Sequence, residues 1–451
     1  MTRYDAIVMG AGQAGPGVAA AVAADGGRVA LTEIDRVGGT CLNHGCRPTK
    51  ALRASARIAH LARRAGDYGV RTGEVSVDFP AVMRRMRDMI DGMRSGLEEW
   101  LAGEDAIDVF GGPSIFEGSA DGVHRVAAGD QILESERVYL DVGARASVPP
   151  IEGLDSVDAM TEVELLGLTE LPSHLVVIGG GYIGLEFGQM FRRFGADVTI
   201  LAGGGVAARE DAAVSSALTG ILSGEGVTIV DGRAARVRPH NSGVAIETQA
   251  GVQIAGSHLL VATGRVPNGD RINASGVGLE LDDRGYVEIN GRYETSVPGI
   301  WALGDVNGHG AFTHTAYHDT SILLDESRSV DGRITAYAMF TDPPLGRVGM
   351  TEAQARDSGR SVLSAQLPMS SVSRAILDSE TEGLMQILVD ADSEEFLGAT
   401  FLGMHGDDLA QAVGYAMQAG VRYPKVRDAL PIHPTVAEFI PTLLSSLQPL
   451  D

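Results

Sequence analysis

The chain has 451 residues, 44% of them hydrophobic, and its 36 basic against 59 acidic side chains give a formal net charge of −23. This composition is typical of a soluble globular protein of about three domains, and its negative charge argues against nucleic acid or an anionic membrane as a partner. The sequence lacks an apolar run of about 18 residues and begins without a signal peptide, so we expect a cytoplasmic protein.

A glycine-rich turn stands near the start of the chain. The segment reads as a strand from Tyr4 to Met9, the glycines Gly10, Gly12 and Gly15, a helix to Ala24, and a strand from Arg28 to Thr32 that ends at Glu33. In this order the glycines let a pyrophosphate approach the helix N-terminus, and the acid holds ribose hydroxyls. The pattern predicts a dinucleotide-binding unit.

Both cysteines of the chain, Cys41 and Cys46, follow this unit closely. Because there are no others, a disulfide framework is excluded and a structural zinc site is weakly supported, so the spacing favours a redox pair. On a regular helix their Cα atoms would lie roughly 8.6 Å apart, whereas a disulfide needs less than about 7 Å. A bridge therefore requires a distorted backbone, which Gly45 permits. The alternative is two buried thiols without redox function.

The residues after the cysteines predict a helix from Lys50 to Arg64, with Pro48 at or near its first turn. The N-terminus of that helix would favour a thiolate at Cys46. Lys50 is one of only two lysines, and we interpret it as a position where a compact ammonium group is needed.

A second copy of the nucleotide pattern follows. It consists of a strand from Leu175, the glycines Gly179, Gly181 and Gly184, a helix from Leu185 to Phe194, and a strand from Asp197 to Leu201. Ala202 stands where the first copy has its acid. Since a ribose-binding carboxylate would repel a 2′-phosphate, its loss favours NADPH, with Arg209 close enough in sequence to meet the phosphate. The alternative is a site indifferent to that phosphate.

The first unit has an acid at this position and the second unit does not, which implies that the two units bind different dinucleotides. A further apolar strand from Thr295 to Asp305 closes on Gly304 and Asp305. Segments 143–150 and 262–268 are predicted to be linkers, so that the second unit is inserted into the first.

With these parts in order, the chain resembles, over essentially its whole length, the class I pyridine nucleotide–disulfide oxidoreductases. These include glutathione reductase, dihydrolipoamide dehydrogenase and mercuric reductase, and a mercuric-reductase-like bacterial branch in particular. The motifs that carry the resemblance are the two glycine turns, Gly39-Thr40-Cys41-x4-Cys46, Ala262-Thr263-Gly264-Arg265, Gly304-Asp305, the segment from Asp342 to Glu352, and His433-Pro434-Thr435-x-x-Glu438.

The resemblance implies an α/β fold with two Rossmann-like dinucleotide-binding domains and a C-terminal α+β dimerisation domain. The FAD-binding domain would comprise residues 1–147 and 267–329, the NAD(P)-binding domain 148–266, and the dimerisation domain 330–451. The protein would be a homodimer.

The resemblance also implies roles for individual residues. FAD would bind the first unit and NADPH or NADH the second, with Tyr182 as a gate, and Lys50 would lie beside the flavin, paired with Glu186. His433 and Glu438 would serve the cysteines of the partner subunit. The candidate cofactor-binding residues are Gly10, Gly12, Gly15, Glu33, Gly39, Thr40, Gly143, Gly179, Gly181, Gly184, Arg209, Gly264, Arg265, Gly304 and Asp305; the catalytic candidates are Cys41, Cys46, Lys50, Tyr182, Glu186, His433 and Glu438.

The implied activity passes electrons from NADPH through FAD and a Cys41–Cys46 disulfide to a small disulfide or related sulfur substrate, with Cys41 attacking that substrate. Alternatives are a reductase of Hg(II) or Cu(II) and a dihydrolipoamide dehydrogenase-type subunit. The C-terminal tail from Thr442 lacks the cysteine pair of typical mercuric reductases, which makes Hg(II) doubtful. No bound metal is expected. His44 and Arg47 depart from the family pattern, and either stabilise thiolates or point into solvent.

Overall fold

The computed structural model describes residues 1–241 and 243–450. Its strands are β1 (Thr2–Arg3), β2 (Ala6–Met9), β3 (Val29–Glu33), β4 (Ile107–Gly111), β5 (Ser114–Ala120), β6 (Val123–Ala128), β7 (Gln131–Ser135), β8 (Val138–Leu140), β9 (Ala144–Ala146), β10 (Ala159–Met160), β11 (His174–Ile178), β12 (Asp197–Leu201), β13 (Thr228–Val230), β14 (Ala234–His240), β15 (Gly243–Thr248), β16 (Gln253–Gly256), β17 (His258–Val261), β18 (Arg265–Pro267), β19 (Ile300–Ala302), β20 (Ala336–Met339), β21 (Leu345–Gly349), β22 (Val362–Pro368), β23 (Leu384–Asp390), β24 (Phe396–Leu402) and β25 (Gln448–Pro449).

The α-helices are α1 (Gly15–Ala24), α2 (Gly39–Asn43), α3 (Cys46–Arg63), α4 (Phe79–Ala102), α5 (Glu162–Leu165), α6 (Tyr182–Phe194), α7 (Ala212–Gly224), α8 (Thr313–Leu323), α9 (Glu352–Asp357), α10 (Ser373–Leu377), α11 (Gly406–Gln418), α12 (Tyr423–Arg427) and α13 (Phe439–Leu444). Within residues 1–241 and 243–450, none of these helices has the length and apolar character needed to cross a membrane.

The chain divides into two compact units. The first contains Met1–Ala51, Met83–Ser147 and Gly264–Arg333, and the second contains Leu52–Val82, Val148–Thr263 and the chain from Ile334 onward.

The first unit is built on a parallel five-stranded sheet in the order β19-β8-β2-β3-β4. The whole of β2 is buried: Ile7 and Met9 pack into one apolar cluster, and Ala6 and Val8 into another. Alternate residues of a strand point to opposite faces, so a continuous apolar run fits a sheet that is covered on both sides. This strand leads directly into the glycine turn and α1, as the sequence predicts.

The second unit contains another parallel sheet in the order β10-β17-β11-β12-β13 and an antiparallel sheet of β14, β15 and β16. Helix α6 follows β11 as α1 follows β2. The chain from Ile334 onward adds a six-stranded antiparallel sheet, β20-β21-β24-β23-β22-β25, whose core is shared with α11 and α13. The predicted α/β fold with a C-terminal α+β domain is confirmed.

The boundaries between the two units fall after Ser147 and before Gly264, within the two segments predicted to be linkers. These segments also contain β9 and β18, which pair antiparallel, with Arg265 opposite Ala146 and Pro267 opposite Ala144. This pairing satisfies backbone N–H and C=O groups that would otherwise need water as their hydrogen-bond partner. The strand expected from Thr295 is confined to Ile300–Ala302, because the preceding residues form a turn in which Thr295 N–H donates to the carbonyl of Ile300.

Two helices begin earlier than the apolar periodicity indicates. Helix α3 starts at Cys46 rather than Lys50, and α6 starts at Tyr182 rather than Leu185. The first turn of α3 contains Pro48, which a helix tolerates there because its first N–H groups have no partner within the helix. Periodicity does not detect such a turn.

Candidate active site

The first glycine turn leaves no room for a Cβ at Gly10 or Gly15. A Cβ on Gly10 would lie 2.3 Å from the carbonyl oxygen of Asp141, and one on Gly15 would lie 2.1 Å from the carbonyl oxygen of Gly10. The backbone of Gly10 also has φ of 105°, which favours glycine. The turn therefore brings bare backbone to the N-terminus of α1, where a phosphate group can approach the N–H groups.

Glu33 ends β3 beside this turn. One carboxylate oxygen accepts from the N–H of Ala11 at 2.9 Å, and the other accepts from the N–H of Asp35 at 3.0 Å. Burial raises the pKa of Glu33, against the effect of these hydrogen bonds. Its position is the one that the sequence assigns to the ribose-binding acid.

Sequence reasoning missed Asp141, which follows β8 and lies beneath the turn. Its Oδ2 accepts from the N–H of Gly15 at 2.7 Å and from that of Ala14 at 3.2 Å. The side chain is buried at 7% exposure. The available signal was an acid at the end of an apolar strand just before Gly143, but the strand order that places β8 beside β2 is not visible in the sequence.

Gly304 and Asp305 lie at the carboxyl end of β19, in the same unit. The N–H of Gly304 donates to Asp319 at 2.8 Å, and Arg265 approaches Asp305 at 4.0 Å. Burial raises the pKa of Asp305, Arg265 opposes this, and the negative charge of Cys46 adds to it. Asp305 therefore lies within electrostatic range of Cys46.

The backbone between the two cysteines is interrupted. Helix α2 ends at Asn43, α3 begins at Cys46, and Gly45 lies in the break. The distortion that a Cys41–Cys46 bridge requires is therefore built into the chain. Both residues are free thiols here, with Cys41 buried and Cys46 exposed, so their oxidation to a disulfide stays a prediction.

The two thiols differ in their surroundings. The pKa of Cys41 is raised, mainly because its thiol is hydrogen-bonded to Cys46 and further because it is buried. The sulfur of Cys46 lies at the start of α3 and 3.2 Å from the hydroxyl oxygen of Thr313, a residue that sequence reasoning also missed. This arrangement keeps the proton on Cys41.

The two unusual residues of the cysteine loop have different partners. His44 is paired with Asp35, with 2.9 Å between Nε2 and Oδ2. Arg47 is exposed, and its charge lowers the pKa of Cys41. Arg47 thus has an electrostatic effect on the cysteine pair.

Of the other predicted residues of the first unit, Gly39 lies against the same turn. Gly39 and Thr40 begin α2, and a Cβ on Gly39 would come within 2.9 Å of the Cα of Gly12. Gly143 and Gly264 flank the β9–β18 ribbon. Lys50 lies in α3.

The second glycine turn repeats the first. A Cβ on Gly179 would lie 2.2 Å from the carbonyl oxygen of Ala262, and one on Gly184 would lie 2.2 Å from that of Gly179. Gly181 precedes α6, whose first residue, Tyr182, is 42% exposed. The same close approach of backbone therefore exists at both predicted nucleotide sites.

Glu186 is buried on α6, where it accepts a hydrogen bond from the N–H of Phe340 at 2.7 Å. It belongs to the second unit and Lys50 to the first. Their pairing stays a prediction, as does the role of Tyr182 as a gate.

Ala202 follows β12 and is buried. Arg209, predicted to meet a 2′-phosphate, is exposed in the loop beyond it. A second exposed arginine, Arg233, follows β13 and donates from Nε to the carbonyl oxygen of Gly203 at 3.3 Å. Because β13 is the neighbour of β12 in the sheet, Arg233 lies beside the position where the first copy has its acid.

His433 and Glu438 are brought together. Nδ1 of His433 lies 2.9 Å from Oε2 of Glu438, and the side chains are 76% and 12% exposed, respectively. Glu438 stands immediately before α13 and thus holds an exposed imidazole from a fixed position. Their service to a partner subunit stays a prediction.

Comparison with known proteins decides the family. The model of the pyridine nucleotide-disulphide oxidoreductases matches residues 4–320, and the model of their dimerisation domain matches residues 335–444. The chain belongs to this family. It is accordingly an FAD-dependent oxidoreductase that uses NAD(P)H.

Relatives match over nearly the full chain. The probable pyridine nucleotide-disulfide oxidoreductase RclA of Escherichia coli K12 is 34% identical, covering 99% of each chain. The mercuric reductase of Streptomyces lividans is 32% identical, covering 97% of this chain and 94% of its own. A solved structure of the Cu(II) complex of E. coli RclA, an HOCl-induced flavoprotein disulfide reductase, has a TM-score of 0.88 at 34% identity and covers 99% of each chain.

The residues of the first unit fit FAD. Gly10 and Gly15 have no space for a Cβ, the N–H groups of α1 lie behind the turn, and the carboxylate of Glu33 lies beside it. As for a metal, the part of the chain that the structure describes contains no group of three or more His, Cys, Asp or Glu side chains able to hold an ion.

Proposed function

We propose that the protein reduces a low-molecular-weight disulfide or a related sulfur electrophile, with NADPH as electron donor and Cys41 and Cys46 as the reacting thiols. The observation that carries this proposal is the hydrogen-bonded thiol pair at the helix break. A buried protonated thiol beside an exposed sulfur at a helix N-terminus is suited to reversible exchange.

FAD supplies the transfer of two electrons from the nicotinamide to the cysteine pair when it is bound. The protein contributes the bare backbone at Gly10 and Gly15, the carboxylate of Glu33, and Asp305 near the second cysteine. These groups orient the cofactor and set the charge around Cys46.

The order of the sulfur steps is the one that the family resemblance implies, and it requires a base that removes the proton from Cys41. Cys41 loses its proton and attacks one sulfur of the substrate, forming a mixed disulfide while the other sulfur leaves with the electron pair. Cys46 then attacks Cys41, which closes the protein disulfide and releases the second thiol. Thr313 and the N-terminus of α3 stabilise the negative sulfur of Cys46 until that step.

A proton must pass from Cys41 to the first leaving thiolate. We assign this transfer to the imidazole of the partner subunit's His433, held by the partner subunit's Glu438. The assignment is supported by the family dimerisation domain at residues 335–444 and by the exposure of His433. It makes the activity dependent on a homodimer.

The preference for NADPH rests on charge. Ala202 removes the carboxylate that would repel a 2′-phosphate, and Arg209 and Arg233 are exposed beyond the adjacent strand ends. An arginine forms charge-assisted hydrogen bonds with a phosphate.

The test is steady-state oxidation of NADPH and NADH by the holoenzyme against a panel of disulfides, quinones, Hg(II) and Cu(II). We expect disulfide-dependent oxidation that is faster with NADPH and is abolished in Cys41→Ser. Anaerobic NADPH should also produce a long-wavelength absorption band in the wild type that is absent in Cys46→Ser. Turnover of disulfides that persists in Cys41→Ser would contradict the proposal.

Reduction of Cu(II) is the second candidate. It is favoured by the Cu(II) complex of RclA, a protein 34% identical to this chain. Soft thiolate ligands stabilise Cu(I), and Cys41 and Cys46 are the chain's only cysteines. Activity with Cu(II) or Hg(II) that exceeds activity with every disulfide of the panel would favour this function.

A role as a dihydrolipoyl dehydrogenase-type subunit has less support. The missing acid at Ala202 argues against the NAD-linked reaction. Stable co-purification with a lipoyl-bearing acyltransferase would favour it.

A further inference from the structure

Asp141 shares the N-terminus of α1 with the FAD site. Its Oδ2 accepts from the N–H groups of Ala14 and Gly15, and a Cβ on Gly12 would lie only 2.7 Å from the same oxygen. The carboxyl group is therefore in contact with the turn that a dinucleotide pyrophosphate approaches. A helix N-terminus stabilises one negative group well, but here the carboxylate and the pyrophosphate would share it.

The charges around Asp141 are mainly acidic. Helix α1 contributes no ionisable side chain, β3 contributes Glu33, and the segment after β19 contributes Asp305. Asp319 of α8 is paired with Arg333 at 2.6 Å, and Arg265 approaches Asp305 at 4.0 Å. Both arginines thus contact other carboxylates, and Glu33 and Asp305 disfavour a negative charge on Asp141.

We propose that FAD binds to the form of the protein in which Asp141 is a neutral carboxyl group, so that binding is coupled to the uptake of one proton. In that form Oδ2 still accepts from the backbone of α1, and the repulsion between a carboxylate and the pyrophosphate is removed. Asp141 is then a cofactor-binding residue of this chain. The proposal depends on FAD as the cofactor and not on the identity of the substrate.

Asp141 titrates in a pH range that a binding experiment can cover. Burial raises its pKa to about 8, the hydrogen bonds from Gly15 and Ala14 oppose the rise, and Asp305 and Glu33 add to it. Bound pyrophosphate raises this pKa further because it is anionic. When a ligand raises a pKa, it binds the protonated form more tightly, so affinity is greatest below the pKa of the free protein and decreases as pH rises above it.

The experiment measures FAD affinity by flavin fluorescence during equilibrium dissociation of the holoenzyme, at pH values from about 6.5 to about 9.5. For the wild type we expect a dissociation constant that is flat below about pH 8 and then rises by up to about tenfold per pH unit. Asp141→Asn mimics the neutral carboxyl group, so its dissociation constant should be flat throughout and lower than that of the wild type at the highest pH.

Asp130→Asn is the matched control, because Asp130 is an exposed carboxylate of the same unit and its removal changes the net charge equally. It should follow the wild-type curve. A flat curve for the wild type, or an unchanged slope in Asp141→Asn, would overturn the proposal.

A second measurement needs no variant. Calorimetric titration of FAD into the deflavinated full-length protein, in two buffers of different ionisation enthalpy, gives the number of protons taken up. We expect close to one proton per FAD at about pH 9 and close to none at about pH 6.5. No uptake at either pH means that Asp141 keeps its charge state on binding, which would refute the coupling.

Discussion

The sulfur of Cys46 lies 3.2 Å from the hydroxyl oxygen of Thr313, the first residue of α8. The two residues are far apart in the sequence, and the contact gives the exposed thiol a hydrogen-bond partner in addition to the N-terminus of α3. Hydrogen bonds to a charged group contribute about 1.5–3 kcal/mol. Thr313 is thus well placed to stabilise a thiolate.

Replacing Thr313 by valine should make Cys46 less reactive. Without the hydroxyl, the pH at which Cys46 becomes reactive should increase by about one unit. The measurement is the pH dependence of alkylation in a Cys41→Ser background, so that only Cys46 reacts. Thr313→Ser keeps the hydroxyl and should behave as the parent. An identical profile for the valine variant would remove Thr313 from the site.

Replacing Glu438 by glutamine should impair proton transfer without affecting nucleotide binding. The carboxylate holds Nδ1 of His433 at 2.9 Å, and general acid–base groups contribute about 10²–10⁴-fold to rate. We expect kcat to fall about tenfold or more in Glu438→Gln and further in His433→Gln, with KM for NADPH unchanged. Stopped-flow measurement of the disulfide-reducing step checks this. A change in KM with kcat unchanged would contradict the assignment.

The contributions of Arg209 and Arg233 to NADPH binding can be distinguished by mutation. If Arg233 binds the 2′-phosphate, Arg233→Ala should raise KM for NADPH about tenfold or more and leave KM for NADH unchanged. Arg209→Ala is the matched variant, and the larger of the two effects identifies the principal contact. Equal KM values for NADPH and NADH in the wild type would instead favour a site indifferent to the phosphate.

The loss of folding stability at low pH should depend on Asp342. This carboxylate is 4% exposed and ion-paired with Arg193 and Arg57; burial alone would raise its pKa, but the arginines lower it below the ordinary value. A group with a depressed pKa in the folded state stabilises the protein above its unfolded pKa, about 3.9, and that contribution is lost as pH falls further.

Urea unfolding at a series of pH values checks this sign. The wild type should lose more stability than Asp342→Asn as pH falls from about 5.5 to about 3, since the variant has already lost the ion pairs at the higher pH. Parallel curves for the two proteins would contradict the role given to Asp342.

Much of the site could be predicted because its chemistry is local in sequence. The glycine turns, Glu33 and the pair Cys41–Cys46 each lie within one strand–turn–helix segment, and the helix break at Gly45 follows from the geometry of a bridge. The two parallel sheets follow from the same segments, because each apolar strand leads directly into a glycine turn and a helix.

The remaining site residues depend on strand order and long-range contacts. Asp141 reaches α1 only because β8 pairs with β2, and Arg233 reaches Gly203 only because β13 pairs with β12. Buried ion pairs such as that of Arg347 with Asp211, at 2.6 Å, join residues far apart in the chain. Periodicity and motif spacing contain no information on these neighbours.

The β9–β18 ribbon has a consequence for the modular construction of the chain. The N–H of Ser147 donates to the carbonyl of Gly264 at 2.9 Å, so the polypeptide departs from the first unit and re-enters it at adjacent residues. Residues 148–263 thus form one continuous insertion whose two ends are neighbours. A tight turn joining Ser147 to Gly264 would therefore close the ribbon as a hairpin and keep the backbone of the first unit continuous.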